Sequence, residues 1–165
     1  MRTVVFLASG LLIFALGCKK DEQTKPTEYN AFLFGSFFGE CVGPDCVKTY
    51  RISEEKLWEA ATDVYAFNPG AGPTEEGYPG PFVELSADLY ELAKDLPDQL
   101  PEELFQETQN VFGQPDAGDW GGLYVEAVID GQHYVWILDN METNMPEYLH
   151  DFAGAIRQTI DALQP

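Results

Sequence analysis

Glu126 and His133, with Tyr124 beside them, are the residues best suited to acid–base chemistry. They lie in LYVEAVIDGQHYVWIL, where Asp130-Gly131 between two alternating runs predicts a two-residue β-hairpin turn. This register places Glu126 and His133 diagonally on one face, within reach of each other. Such a pair could perform proton transfer, or it could form a cross-strand ion pair on a solvated face.

No other catalytic pattern accompanies this pair. The chain has no G-x-S-x-G, H-E-x-x-H, P-loop or G-x-G-x-x-G motif. Ser36, Ser53 and Ser86 lie in no recognisable nucleophile turn. We therefore expect a binding protein without a cofactor, and we keep a small carboxylate- and histidine-dependent enzyme and a structural subunit of an envelope complex as alternatives.

Two further groups of residues are candidates for binding. Acidic and amide side chains flank the hairpin and predict either a calcium site or polar turns: Asp116, Asp119, Asp139, Asn140, Glu142 and Asn144. Aromatic side chains beside glycine- and proline-rich segments predict either a binding surface or core: Tyr78, Phe82, Trp120 and Tyr124. The binding candidates are thus Tyr78, Trp120, Tyr124, Glu126 and His133.

Two hairpins are expected to form a sheet. One pairs Tyr29–Phe38 with Val47–Ile52, and the other is the Asp130-Gly131 hairpin. Cys41 and Cys46 flank VGPD at the tip of the first hairpin, which predicts a disulfide in an oxidising compartment. A C-x4-C metal site is the alternative, although zinc needs more ligands than these two.

Helices are expected over residues 53–61, 84–96, 102–111 and 146–163, the last with a stripe of Leu149, Phe152, Ile156 and Ile160. Residues 63–67 could add a brief strand, and 68–81 form a loop that is either functional or a tolerated insertion. These elements predict an α+β fold, a four-stranded antiparallel sheet with helices packed on one face.

The chain is strongly acidic, with 28 Asp and Glu against 9 Lys and Arg and a formal charge of −19. This charge disfavours nucleic acid and anionic membrane surfaces as partners, because both attract basic proteins. It favours a basic protein partner, or it serves only to keep the domain soluble.

The amino terminus has the features of an export signal. Residues 1–17 are too short an apolar run to span a bilayer and predict a signal peptide. Ala15-Leu16-Gly17-Cys18 resembles a lipobox, which implies a lipid on Cys18 and a membrane anchor. A disordered tether, residues 18–28, should then lead into one domain, residues 29–165.

The residues after Cys18 address localisation. Cys18-Lys19-Lys20-Asp21-Glu22 resembles the C-x-K-[DE]-[DE] signal of surface lipoproteins in Gram-negative outer membranes. This resemblance implies an outer-membrane protein exposed at the cell surface. A periplasm-facing orientation is the alternative.

The order of elements resembles that of the emfourin family, small inhibitors of thermolysin-like metalloproteases. The matching segments are Phe32–Ile52, Leu85–Leu104, Tyr124–Leu138 and Pro146-Glu147-Tyr148-Leu149. The tip at Cys41 and Cys46 and the 68–81 loop depart from that pattern. The resemblance implies a hydrolase as the protein partner and inhibition as the outcome.

Overall fold

The computed structural model describes residues 28–43, 46–62, 67–68, 72–73 and 77–164. Nine strands are present in this part of the chain: β1 (Ala31–Phe37), β2 (Val47–Ser53), β3 (Lys56–Ala60), β4 (Phe67–Asn68), β5 (Gly72–Pro73), β6 (Phe82–Glu84), β7 (Val111–Phe112), β8 (Gly122–Ile129) and β9 (Gln132–Asp139). The α-helices are α1 (Ala87–Ala93) and α2 (His150–Leu163).

The main sheet has seven strands in the order β6-β3-β2-β1-β8-β9-β7, and β4 and β5 pair separately. All pairings in the main sheet are antiparallel except that of β7 with β9. The α+β class is confirmed, whereas the expected four strands are wrong. Three short strands extend the sheet beyond the four predicted ones. β3 pairs with β2, β6 pairs with β3, and β7 pairs with β9, so main-chain groups at the outer edges of the predicted strands find partners.

The hairpin of β8 and β9 has the predicted register, with Val125 opposite Trp136 and Val128 opposite His133. The face that was expected to be core is buried against the helices, and only Tyr134 on it is half-buried. The two residues of the turn, Asp130 and Gly131, both have positive φ, as an Asp-Gly hairpin turn requires.

The expected helix at residues 53–61 is wrong, because this segment forms the end of β2, a turn and β3. Glu54 and Glu55 occupy left-handed backbone conformations in that turn. Serine followed by two glutamates looked like a helix start, but pairing of β3 with both β2 and β6 overrides this local preference.

The later helices are partly as expected. The stripe of α2 is buried as predicted, and a 3-10 turn, Glu147–Leu149, leads into that helix. The segment 84–96 holds the shorter α1 after β6. Residues 102–111 form a 3-10 helix, Glu102–Gln106, and then enter β7, because Asn110 and Ile137 begin a strand pairing through a main-chain hydrogen bond.

The face of the sheet opposite the helices has its own smaller core. Its buried residues are Leu33, Phe37, Val47, Tyr78, Tyr124, Val135 and Ile137, with Phe82 packed against them. Tyr78 belongs to the end of the predicted 68–81 loop. The described end of that loop therefore covers a sheet face.

Cys41 and Cys46 form the predicted disulfide, with Cα atoms 5.3 Å apart. The signal peptide, Cys18 and nearly all of the tether lie outside the described residues, as does all but Phe67 of the possible strand at 63–67. No helix in the described ranges has the length and apolar character needed to cross a membrane.

Candidate functional site

Glu126 is a buried carboxylate, 1% exposed, in the middle of β8. The Tyr124 hydroxyl donates a hydrogen bond to its Oε2, and the main-chain N–H of Tyr78 donates to the same oxygen at 3.1 Å. Its Oε1 pairs with Nδ1 of His133. Both carboxylate oxygens are thus bound within the protein, as a buried charged group requires.

His133 is the half-exposed member of the cluster, with 31% of its side chain accessible. The β8–β9 register places it diagonally from Glu126, so the sheet itself brings the two side chains together. A carboxylate on one ring nitrogen fixes the orientation of the imidazole and leaves the other nitrogen to face a ligand. This arrangement can orient a base or a hydrogen-bonding group.

Tyr124 is a buried donor in this cluster. Burial raises the pKa of its phenol far above the ordinary value, and the neighbouring Glu126 carboxylate raises it further. Tyr124 is therefore held as a neutral hydrogen-bond donor and is unsuited to act as a proton-releasing acid.

Gly77 and Tyr78 form the cover of the Glu126 cluster. A Cβ on Gly77 would collide with the side chains of Glu126 and His133, and its φ of +66° also favours glycine. The Tyr78 hydroxyl donates to the Thr62 carbonyl at 3.0 Å, and its ring packs edge-on against Phe82. The cover is thus anchored on both sides.

His133 also lines an open cleft of about 340 Å³ beside β9. The opposite wall is the segment 104–110, whose Thr108, Gln109 and Asn110 face the same space. The floor includes Tyr134 and Trp136, which stack at 6.3 Å. The cleft thus combines aromatic surface with polar groups, which is typical of small binding sites.

Trp120 lies apart from this cluster, at the end of the sheet where Phe37, Gly122 and Asp139 are paired neighbours. Three loops leave the sheet there, and each bears an exposed apolar side chain. Val42 in the disulfide loop is fully exposed, Trp120 is 62% exposed and Met141 is 43% exposed. We call these loops, residues 38–43, 113–121 and 140–145, the sheet-end surface.

Two aspartates brace the sheet-end surface. Asp116 accepts hydrogen bonds from the N–H groups of Gly39, at 2.9 Å, and Gly121, at 3.2 Å, and so joins two loops. Asp139 accepts from the N–H groups of Gln114 and Met141, at 2.7 and 2.8 Å. Asn140 donates to the Trp120 carbonyl at 3.0 Å.

Asp139 is buried, and burial alone would raise its pKa, but the bonds from Met141, Gln114 and Asn144 together lower it below the ordinary value. These bonds occupy the carboxylate oxygens that a cation would need. No group of three or more His, Cys, Asp or Glu in the described ranges is arranged to hold a metal ion. Of the acidic residues that predicted a calcium site or polar turns, Asp116 and Asp139 therefore hold loops together.

Of the five binding candidates, the fold brings together Tyr78, Tyr124, Glu126 and His133 and leaves Trp120 elsewhere. Among the four aromatics, Tyr78 and Tyr124 are core, Phe82 is half-buried and Trp120 is exposed. Sequence reasoning missed Val42 and Met141, because a single exposed apolar residue produces no periodic pattern. Their positions in the loops after the ends of β1 and β9 could have indicated that they lie at one end of the sheet. The chain matches no protein-family model and no curated protein sequence.

Proposed function

We propose that this chain is a lipid-anchored, surface-exposed acidic binding module whose ligand is another protein. The observation that supports it best is the sheet-end surface, where Val42, Trp120 and Met141 are exposed on braced loops. Each loop at this end of the sheet carries one such side chain, and exposed apolar surface often marks protein contacts. Tryptophan is also strongly enriched among energetic hot spots.

The rigidity of these loops supports the same function. The disulfide closes the first loop, and Asp116 and Asp139 hold the others. Asp116 and Asp119 both adopt positive φ, a strained conformation that tends to persist at functional loops. A preformed surface loses little conformational entropy on binding, which leaves more of the contact energy as affinity.

The charge supports a basic partner. With a formal charge of −19, the protein should attract a basic protein and accelerate the encounter. The resemblance to emfourins favours a hydrolase among such partners, so inhibition is the first activity to test. Anchoring through Cys18 would hold the module at the outer membrane, on the cell surface.

The Glu126 cluster supports an enzyme less well. Both oxygens of Glu126 are engaged by Tyr124, Tyr78 and His133, and Tyr124 is held neutral. A general base needs a lone pair that faces substrate, and in this cluster only His133 lines the cleft.

Capture experiments test the proposed function. The oxidised full chain, immobilised in detergent, would be exposed to secreted and envelope proteins at about 50 and 150 mM salt, a range over which screening changes markedly. We expect a basic protein to be retained more strongly at low salt, and we expect its activity to be inhibited if it is a hydrolase.

Two variants test whether the sheet-end surface holds this protein. Trp120→Ala should no longer retain it, whereas Val83→Ala, whose site is exposed on β6 away from the sheet end, should still retain it. Equal retention by both variants would contradict the proposal.

A further inference from the structure

Within the described residues, no strand pairs with the outer edge of β9 over its first half. On one side β9 pairs with β8 along its whole length, but on the other side it pairs with β7 only at Ile137 and Leu138. The Ile137 N–H faces this outer side, because it donates to the Asn110 carbonyl at 2.8 Å. Main-chain groups alternate sides along an antiparallel strand, so those of His133 and Val135 face the same edge.

These outward groups are unpaired within the residues that the structure describes. No hydrogen bond joins the outward N–H and C=O groups of His133 and Val135 to any part of the chain that the structure describes. Val135 is only 8% exposed because its side chain packs in the smaller core. Unpaired main-chain groups along a strand edge are a template for an added strand.

The cleft gives this edge the shape of a peptide site. The edge forms one wall of the 340 Å³ cleft, and the segment 104–110 diverges from it to form the other. Residues two apart along a strand are separated by about 6.6 Å, so His133 and Val135 match alternate residues of an extended peptide. Thr108 and Gln109 can contact its side chains.

We propose that this edge of β9 binds an extended basic segment of a partner protein by strand addition, a mode in which main-chain hydrogen bonds supply the affinity. Two acidic residues favour a basic segment. Glu107 lines the cleft and accepts a hydrogen bond from the Tyr148 hydroxyl at 3.0 Å. Burial and Glu107 raise the pKa of Tyr148, and Glu103 adds to the shift, so Glu103 also lies near this tyrosine. A second copy of this chain is disfavoured at the edge, because two molecules of charge −19 repel.

This site is separate from the sheet-end surface. The cleft adjoins the start of β9 near the Asp130-Gly131 turn, and the sheet-end surface adjoins its last residue, Asp139. The two sites can therefore fail independently. Trp120→Ala should leave the edge unchanged.

Amide hydrogen exchange of the full oxidised chain in detergent micelles tests the proposal. The probe is a hexapeptide of alternating valine and lysine, and the control is its fully N-methylated twin, which has the same charge but no main-chain donors. At about ten times its Kd, the probe should slow amide exchange at His133 and Val135 by about tenfold. The same slowing is expected in the Trp120→Ala variant. The N-methylated twin should not slow exchange at either residue. No slowing, or equal slowing by the twin, would overturn strand addition.

A proline variant gives a second test. Val135→Pro removes an outward N–H but no hydrogen bond to β8, and proline is tolerated on an edge strand in that orientation. Retained protection of the β8 amides would show that the variant is folded. The peptide should then no longer slow exchange at His133. Undiminished slowing would overturn the assignment to this edge, as would a dimer whose His133 and Val135 amides are already protected without peptide.

Discussion

At the scale of single residues, Glu126 is the most constrained group in the candidate site. Glu126→Gln keeps the volume but replaces one carboxylate oxygen with an amide NH2, so a carboxylate acceptor is lost either on the side of His133 or on the side of Tyr124 and Tyr78. We expect it to lower the free energy of unfolding by about 2–3 kcal/mol, because a buried bond to a charged acceptor is lost. Urea unfolding measures this. The exposed Glu147→Gln should change it by less than about 0.5 kcal/mol; equal effects would contradict the described burial of Glu126.

Asp139 predicts how stability responds to acid. Its pKa is lowered in the folded state, so its contribution is complete above the unfolded value of about 3.9 and is lost as the pH falls toward the lower folded value. Asp139→Asn should be less stable near pH 7, and its stability should converge with that of the wild type as pH decreases below about 4. Urea midpoints between neutral and acidic pH measure this. Parallel curves would contradict the role given to Asp139.

The residue pair of the site was predictable, but its surroundings were not. The Asp-Gly turn fixes the register, and the register alone places His133 diagonally from Glu126. Burial of Glu126 depends on Gly77 and Tyr78, and Tyr78 is 48 residues away in the chain. Nothing in the local sequence indicates that a glycine- and proline-rich segment returns to cover that face.

At the scale of elements, the cover over the sheet depends on Gly77. Gly77→Ala should destabilise the protein by about 2–4 kcal/mol, because its Cβ collides with Glu126 and His133 and its φ is positive. Gly154→Ala is the matched control. Gly154 lies inside α2 with open space around it, so alanine there should stabilise by about 0.5–1 kcal/mol. Thermal unfolding of both variants measures this, and a harmless Gly77→Ala would contradict the packing of the cover.

The elements that sequence predicted well are those whose periodicity matches their burial. The stripe of α2 and the alternation of β8 and β9 each bury one face, so the pattern and the structure agree. The segment 53–61 was mistaken for a helix because its strand character comes from neighbours: β3 lies between β2 and β6. Two-residue strands such as β7 are too short for any periodicity and depend on their partners.

At the scale of the whole molecule, the buried phenols predict a loss of stability in alkali. Burial raises the pKa of Tyr29 to about 12, with Asp98 and Glu102 contributing, and burial with Glu59 raises that of Tyr50 to about 12. Both stay protonated in the folded state where the unfolded chain ionises. Stability is therefore unaffected below about pH 10 and falls between about 10 and 12 by up to about 1.4 kcal/mol per pH unit for each tyrosine.

Tyr29→Phe isolates one of these groups. The Tyr29 hydroxyl is buried without a hydrogen-bond partner among the described residues, so the variant should be nearly as stable as the wild type at pH 7. Between pH 10 and 12 its stability should decline less steeply. Urea midpoints across this range measure the slopes. An unchanged slope would contradict the shifted pKa of Tyr29.

The whole molecule combines the Glu126 cluster, which lies under its cover and is hydrogen-bonded internally, with the exposed sheet-end surface. The first holds the fold and orients His133, and the second is the surface that we propose contacts a partner. The charge of −19 is spread over the chain and should make association faster at low salt.

The most direct test of protein binding at the sheet-end surface is a calorimetric titration of the captured partner against wild type, Trp120→Ala and Val83→Ala. We predict a 10- to 30-fold weaker Kd for Trp120→Ala, about 1.4–2 kcal/mol, with Val83→Ala equal to the wild type. Equal affinities for all three proteins would contradict a partner site at the sheet end.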